Sequence, residues 1–345
     1  MKGILITGGS GFIGSHLTLS LLKMGYKIFV IDSLINSSKK IIDKINKLHK
    51  SKDFTYKVEF FKVDIRDADE IKKVFKYSKH INFNIDLVIH LAGLKSIRDS
   101  YENPKLYWDV NVNGTKTLIN EMINFNCKKI IFSSSASIYD ASQKSPFTEQ
   151  SLIKPSNPYG KTKLAAERIL LNNKYFLNNY IDPIVLRYFN PIGSEPTGFL
   201  GEERIISKTL NNLFPNICNV AKGSSKSLYI YGKDWPTKDG TAIRDFIHIS
   251  DLVNAHKAVL DYFNEKSKKN RIFNIGTGKG TSVLELINAF QKVNKLKLNY
   301  IFRERRGGDY GIIYADCNLA KEILNWQAKK NIEDMCLDGW NSIKR

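Results

Sequence analysis

Cysteine is scarce. Cys127, Cys218, Cys317 and Cys336 are the only four in 345 residues, widely separated, with no Cys-x-x-Cys and no histidines at metal-ligand spacing. That argues against a disulfide framework and a zinc site. No metal is expected, and a reducing, cytoplasmic setting suits the chain. Long apolar runs are missing as well. No stretch reaches the ~18 apolar residues of a membrane span. The opening run Ile4-Leu5-Ile6 is shorter than a signal-peptide core and reads as a first strand. Acidic charge is in short supply, with 34 Asp and Glu against 53 Lys and Arg, for a net charge of +19. Such a surface attracts polyanions. The lysines are nevertheless spread along the whole chain. The densest run, Ser38 to Lys57, has little glycine or arginine, and Asn, Ile and Lys are abundant together. That is compositional drift, and no specific nucleic-acid partner is expected. Internal repeats and low-complexity linkers are absent.

What remains is ordinary for a soluble globular protein, 42% apolar and 25% charged, and long enough for one or two domains. Strand-like and helix-like segments alternate in the first half. Strands are expected at Ile4–Thr7, Lys27–Asp32, Val58–Asp64, Asp86–Ala92, Lys129–Ser134 and Ile184–Phe189. Helices are expected at Gly11–Met24, Ala68–Lys79, Leu106–Asn126 and Pro158–Asn173. Short apolar runs separated by helices predict an α/β fold with a doubly wound parallel sheet, Rossmann-type, whose ligands sit at the carboxyl ends of the strands. After Phe189 the pattern breaks. Residues 190–239 are rich in Gly, Pro, Asn and Ser, with one helix-like piece at Ile205–Phe214. Strand-and-helix units return at Asp245–Tyr262 and Arg271–Lys292. The expected organisation is a dinucleotide domain over 1–189, with segments near 245–276 crossing back to it, and a smaller substrate domain over 190–345. Asn36–Thr55 and Asn264–Asn270 read as exposed loops or helix ends.

Gly8-x-x-Gly11-x-x-Gly14 follows a strand and opens a helix. Glycines there permit a tight turn and close approach of a pyrophosphate, and the helix start offers free N–H groups. Asp32 ends the second strand, where a carboxylate holds the ribose 2′-hydroxyl and repels a 2′-phosphate. NAD is therefore expected as cofactor rather than NADP. Asp64 and Ile65 at the end of the third strand are placed to flank the adenine. Leu91, Ala92 and Gly93 end the fourth strand close to the cofactor.

Catalytic chemistry is expected at Ser156-Asn157-Pro158-Tyr159-Gly160-Lys161-Thr162-Lys163. Asn157 as cap and Pro158 as first residue would start a helix, placing Tyr159 and Lys163 on one face. A free phenol ionises only near pH ~10. A lysine cation beside it favours the phenolate, making a usable base. Ser133-Ser134-Ser135 ends the fifth strand at the catalytic edge, and a hydroxyl there could bind both a substrate oxygen and Tyr159. Ser/Tyr/Lys suits removal of an alcohol proton while NAD takes the hydride.

These residues resemble the extended short-chain dehydrogenase/reductase family, and more narrowly its UDP-glucose 4-epimerase branch, over nearly the whole chain. The stretches that carry the resemblance are Thr7-Gly8-Gly9-Ser10-Gly11-Phe12-Ile13-Gly14, Leu91-Ala92-Gly93-Leu94-Lys95-Ser96, Asn111-Val112-Asn113-Gly114-Thr115, Leu186-Arg187-Tyr188-Phe189-Asn190-Pro191, Tyr231-Gly232-Lys233-Asp234-Trp235-Pro236-Thr237 and Asp239 to His248. The resemblance implies interconversion of UDP-galactose and UDP-glucose by transient oxidation at sugar C4. Tyr159 would be the base, Ser135 would orient the hydroxyl, and Lys163 would hold the nicotinamide ribose and tune Tyr159. Phe12, Ile13, Asp32, Asn36, Ser37, Asp64, Ile65, Lys95 and Phe189 would touch NAD. Asn190, Asn212, Leu213, Tyr229, Tyr231, Arg244, Arg306 and Asp309 would hold the nucleotide sugar. The family also implies a homodimer built through a helix bundle.

Some positions depart from the family pattern. Val110 replaces a usual asparagine, so a cofactor-side hydrogen bond is lost or supplied by Asn111. Asp140 replaces a usual glycine. Beyond Asp309 the match is loose, and Ile313 aligns with a position that limits room beside the sugar C2 group. Its intermediate volume implies good activity on UDP-galactose and slow activity on the N-acetylated sugar. Read without the family, Arg244 and Arg306 are an exposed surface pair, and Ile313 is a core residue of a strand Ile312–Ala315. The alternatives are an epimerase of UDP-N-acetylhexosamine or UDP-glucuronate, and a nucleotide-sugar 4,6-dehydratase. The latter needs an Asp-Glu pair where Ala136-Ser137 stands. An idle NAD-binding protein is opposed by the intact Ser/Tyr/Lys set.

Overall fold

The computed structural model describes residues 2–48, 54–171, 178, 180–201, 212–265 and 270–344. The chain divides into two compact units. The first comprises Met1–Ser135, Asn157–Leu186 and Phe263–Ile272; the second comprises Ala136–Ser156, Arg187–Tyr262 and Phe273–Arg345. Set against the expected 1–189 and 190–345, residues 136–156 and 187–189 lie in the second unit, and only 263–272 of the later chain lies in the first.

The first unit is built on strands β1 (Lys2–Thr7), β2 (Lys27–Asp32), β3 (Glu59–Lys62), β4 (Asn84–His90) and β5 (Lys129–Ser135), with most of β6 (Asp182–Tyr188). Helices α1 (Phe12–Lys23), α2 (Lys39–Leu48), α3 (Ala68–His80), α4 (Ile97–Glu102), α5 (Pro104–Trp108), α6 (Gly114–Asn124) and α7 (Pro158–Leu170) connect them. The sheet order is β11-β6-β5-β4-β1-β2-β3, where β11 is Ile272–Ile275. β1 pairs in parallel with β2 and β4, β2 with β3, and β4 with β5. Parallel pairing puts the carboxyl ends of these strands on one edge, and the order reverses at β1, which is where an open α/β sheet binds its ligand. β1 and β2 are buried almost throughout, as strands covered on both faces must be. Leu5, Phe29, Val88, Leu118, Ile130 and Phe132 belong to one continuous core.

Two expectations fail here. The lysine-rich stretch from Asn36 is neither an exposed loop nor a mere helix end: α2 occupies Lys39–Leu48 and buries Ile41, Ile42 and Ile45, which recur at helical spacing. Asn46 fixes it by accepting from Val58 N at 2.8 Å and donating to Val58 O at 3.1 Å. Residues 49–53 lie outside those described. The expected single helix over Leu106–Asn126 is three pieces: α5, a π-helical turn at Asp109–Asn113, and α6. The wide turn buries Asn111, whose side chain accepts from Leu94 N at 2.8 Å and donates to Leu94 O and Thr162 Oγ1 at 3.0 Å each. π-turns of this kind cluster at functional sites. Asn111 is thereby spent on protein partners and does not substitute for the asparagine missing at Val110. The short α4 was not foreseen.

The second unit contains β7 (Asn190–Ile192), α8 (Leu213–Ala221), β8 (Leu228–Tyr231), β9 (Ile243–Arg244), β10 (Phe246–His248), α9 (Ile249–Tyr262), most of β11, β12 (Thr281–Ser282), α10 (Val283–Asn294), β13 (Tyr300–Arg303), β14 (Ile312–Ile313), α11 (Asn318–Leu324) and α12 (Ile332–Asn341). Its small sheets pair β10 with β7, β12-β9-β14, and β13 with β8. Phe214, Ile217, Ile230, Phe246, Ile287 and Phe290 lie in its core. The helix expected at Ile205–Phe214 falls mainly on residues 202–211, outside those described. α8 begins at Leu213. Of Asn264–Asn270, residues 266–269 are likewise outside. The expected strand Ile312–Ala315 is only the two-residue β14, and Ala315 forms an isolated bridge with Phe147. Asp140, where a glycine was usual, needs no left-handed backbone. Its carboxylate accepts from Ser142 N and Oγ at 3.1 and 2.7 Å.

Because Ile42 is fully buried, Ile42→Ala should lower unfolding stability by about 2–5 kcal/mol, read from denaturant titration. A loss under about 0.5 kcal/mol, the scale of a surface change, would return this segment to the loop first expected.

Candidate active site

The turn after β1 is closed by contact. Gly8 has φ +70, and a Cβ on it would stand 2.9 Å from Ala92 N; a Cβ on Gly14 would collide with the Gly8 carbonyl oxygen. Gly11 caps α1 without any side-chain bond, whereas α3, α7, α10 and α12 are capped by the side chains of Asp67, Asn157, Ser282 and Asn331. The first-turn N–H groups of α1 therefore have no side-chain acceptor, which fits a diphosphate. Phe12, the first residue of α1, stacks edge-on against His16, and Ile13 follows it.

Asp32, at the end of β2, is buried. Its carboxylate accepts from Ser10 N at 3.0 Å, Leu34 N at 2.9 Å and Ser37 Oγ at 2.5 Å. It thus ties the glycine turn to the loop after β2. Ser37 serves that carboxylate, and Asn36 is exposed beside it. Asp64 is clasped by Arg66, Nε to Oδ1 at 3.0 Å and Nη2 to Oδ2 at 2.7 Å, which holds its carboxyl below the usual range. Arg66 also reaches Asp109. Ile65 is buried, and Lys95 is exposed.

Leu91 and Ala92 are fixed by a proton-ordered chain that sequence reasoning missed, and Gly93 follows beside Asn111. Thr115 Oγ1 donates to Asn111 O at 2.6 Å, so it must accept from His90 Nε2–H at 2.9 Å. His90 Nδ1 then carries no proton and accepts from Thr7 Oγ1 at 2.7 Å. The Thr7 lone pairs take Leu91 N at 3.2 Å and Ala92 N at 3.1 Å. Burial, with the Lys163 cation nearby, pushes the imidazole down to about 3, so the neutral ring persists throughout the physiological range. A histidine ending a buried strand was the one available signal.

α7 starts as expected, with Asn157 Oδ1 accepting from Gly160 N at 2.8 Å and Pro158 in the first turn. Tyr159 and Ser135 share a side-chain hydrogen bond. The structure corrects the expected tuning, however. Burial raises the Tyr159 phenol above its ordinary value, and the bond from Ser135 works against that rise. Lys163 does not act on the phenol directly. Its ammonium donates to Ser133 O at 2.7 Å and lies 4.9 Å above the Phe132 ring, and burial lowers it to about 8.

The remaining expected residues lie in the second unit. Phe189 is buried, its N–H on Ile275 O. Asn190 opens β7, with its N–H on Asp245 O. Arg244 is not a surface residue: its side chain is largely buried and pairs with Asp309 at 2.5 Å. Arg306 stacks its guanidinium 3.7 Å from the Tyr231 ring centroid, and Arg303 does the same to exposed Tyr229 at 4.8 Å. Ile313 is half-buried and in register with Arg244 across β14 and β9. Asn212 caps α8 without a side-chain bond among the described residues, as also happens at the starts of α1, α5, α6 and α11.

Asp245 organises these neighbours and was also missed. Fully buried, it accepts from Thr277 N and Oγ1, Gly278 N and Ala315 N, at 2.6–3.2 Å. Among the described residues no group of three or more His, Cys, Asp or Glu could hold a metal ion, and no helix is long and apolar enough to cross a membrane.

Residues 4–276 match the NAD dependent epimerase/dehydratase family. UDP-glucose 4-epimerase 4 of Oryza sativa subsp. japonica is 44% identical over 340 residues, covering 99% of this chain and 89% of the relative. The crystal structure of UDP-glucose 4-epimerase from Bifidobacterium longum in complex with NAD+ and UDP superposes with a TM-score of 0.89 at 37% identity, over 99% of this chain and 98% of that one. The UDP-Glc/GlcNAc 4-epimerase of Campylobacter jejuni gives a TM-score of 0.80 at 34% identity, over 100% and 99%. Fold, glycine turn and near-complete alignment agree: the chain belongs to the NAD dependent epimerase/dehydratase family, on the branch of the UDP-glucose 4-epimerases.

Proposed function

We propose that the protein interconverts UDP-galactose and UDP-glucose with NAD held in the first unit. The observation that carries this reading is the Ser135–Tyr159 hydrogen bond at the carboxyl end of β5, on the same parallel sheet as the uncapped glycine turn. Gly8, Gly11, Phe12, Ile13 and Gly14 receive the diphosphate of NAD; Asp32 takes the ribose hydroxyls with the acceptor capacity that Ser10, Leu34 and Ser37 leave on it. Asn36, Ser37, Asp64, Ile65, Leu91, Ala92, Gly93, Lys95 and Phe189 complete the cofactor's surroundings. Asn190, Asn212, Leu213, Tyr229, Tyr231, Arg244, Arg306 and Asp309 hold the nucleotide sugar. An arginine fork suits its diphosphate, as does the uncapped start of α8. NAD bound there would supply the hydride acceptor and donor for sugar C4.

Tyr159 takes the proton from the sugar 4-hydroxyl and later gives it back; Ser135 donates a hydrogen bond that keeps oxygen and phenol in line. Lys163, anchored on the Ser133 carbonyl, holds the nicotinamide ribose. The hydrogen bond from Ser135 opposes the rise that burial imposes on Tyr159. The enzyme is read as cytoplasmic. It is also read as a homodimer, because Ile97 and Tyr101 on α4 and Leu106 and Trp108 on α5 are exposed together.

Purified protein incubated with UDP-galactose should yield UDP-glucose without added cofactor, and denaturation should release NAD. Tyr159→Phe should cut turnover by ~10²–10⁴-fold while UDP-sugar binding persists. More than half the wild-type rate would remove Tyr159 as the base, and free NADH accumulating with a keto sugar would indicate a dehydrogenase instead. In sedimentation the wild type should run at twice the chain mass and Trp108→Glu at the chain mass. Two identical profiles would place any dimer contact elsewhere.

A second reading, 4-epimerisation of N-acetylated sugars, is favoured by the likeness to the Campylobacter jejuni enzyme and by Ile313, which stands in register with Arg244. Slow turnover of UDP-N-acetylgalactosamine is expected. Ile313→Tyr should suppress it far more than turnover of UDP-galactose. Equal losses on both would mean disturbed packing rather than a gate.

A further inference from the structure

Ser100 is fully buried on α4, and none of the roles above uses it. The first turn of α7 shows what it does. A helix start leaves N–H groups without partners in the helix. Pro158 has none to offer, and the Gly160 N–H is taken by Asn157 Oδ1. The Tyr159 N–H remains, and Ser100 Oγ accepts it at 3.2 Å. The hydroxyl proton of Ser100 goes to Ile97 O at 2.6 Å, so the direction of both bonds is set. A helix that carries no expected site residue thus holds the backbone of the residue whose phenol meets Ser135.

We infer that Ser100 is a positioning residue for Tyr159: its hydroxyl fixes the first turn of α7 so that the phenol reaches Ser135. This rests on reading Tyr159 as the base. Without the hydroxyl, a partly buried N–H loses its acceptor and the turn is free to shift. A displacement near 1 Å at a reacting group can cost ~10²-fold in rate. The Ser135 bond is what favours the phenolate, so weakening it raises the Tyr159 pKa further. Activity that needs the phenolate must then rise at higher pH.

The test is Ser100→Ala holoenzyme, assayed on UDP-galactose across pH. The kcat should fall about ten- to a hundredfold, with KM within about twofold of wild type. The acidic limb of the kcat profile should move up by about half a pH unit or more. Ser78→Ala is the control: Ser78 is buried on α3 and makes the same back-bond, to Phe75 O at 2.9 Å, away from Tyr159. It should lose stability and keep kcat. An unmoved acidic limb in Ser100→Ala overturns the inference, whatever the change in kcat. If that variant does not fold, Ser100→Cys, close in volume but a weak acceptor, is judged by the same limb. Tyr159→Phe run in parallel separates the two failures: an active Tyr159→Phe sinks the base, whereas an inactive one beside an unmoved Ser100→Ala limb sinks only the role of Ser100.

Discussion

Parallel pairing around β1 is the constraint on which the site in the first unit depends. Strands that run the same way end on the same edge, so Thr7, Asp32, His90 and Ser135 finish together although they are far apart in sequence. Burial then decides their chemistry. Thr7, His90 and Thr115 have no water to satisfy them, and their hydrogen bonds settle into one proton order that fixes the Leu91–Ala92 backbone. The Gly8 turn packs against that same backbone, which is why a side chain there has no room.

The second unit meets a comparable demand with different means. Its sheets are short, and a buried carboxylate does what long strands do in the first unit. Asp245 gathers three segments by accepting four hydrogen bonds, and the neighbouring Arg244 pairs with Asp309. A network of side chains adds to this. Tyr139 donates to Asn274 Oδ1 and accepts from buried Arg187, whose guanidinium also reaches Glu149 O. Each polar group in it has a partner, so burial stabilises rather than penalises the arrangement. The aromatic–arginine stacks at Tyr229, Tyr231 and Trp235 are more open, and give planar cations a fixed orientation without burying them.

Burial also acts on Tyr159 and on Lys163, the lysine expected to tune it. Low polarity raises the phenol and lowers the ammonium, so each is pushed toward its neutral form. One N–H of the lysine goes to a strand carbonyl, and the bond from Ser135 works against the rise at the tyrosine. The helix that steadies Tyr159, α4, turns Ile97 and Tyr101 outward while Ser100 faces inward. The bond to the Tyr159 amide and the exposed apolar face are therefore two sides of one short element.

The sequence by itself determined the order of the strands in the first half, the glycine turn, Asp32 and the cap of α7. These are local signals: turns that only glycine fits, periodic apolar residues, and an Asn-Pro start. It also carried the family resemblance. Only the tertiary structure decided the rest. The isoleucines of α2 were hidden under a lysine-rich composition that resembled a loop. The π-turn at Asp109–Asn113 carries Asn111, whose bonds go to Leu94 and Thr162, partners no local pattern records. Arg244 looked exposed until Asp309, 65 positions on, paired with it. Ser100 is one serine among polar neighbours until folding lays it against the Tyr159 amide. Partners distant in sequence, and the loss of water around them, set hydrogen-bond direction and ionisation, and neither is written in any one segment of the chain.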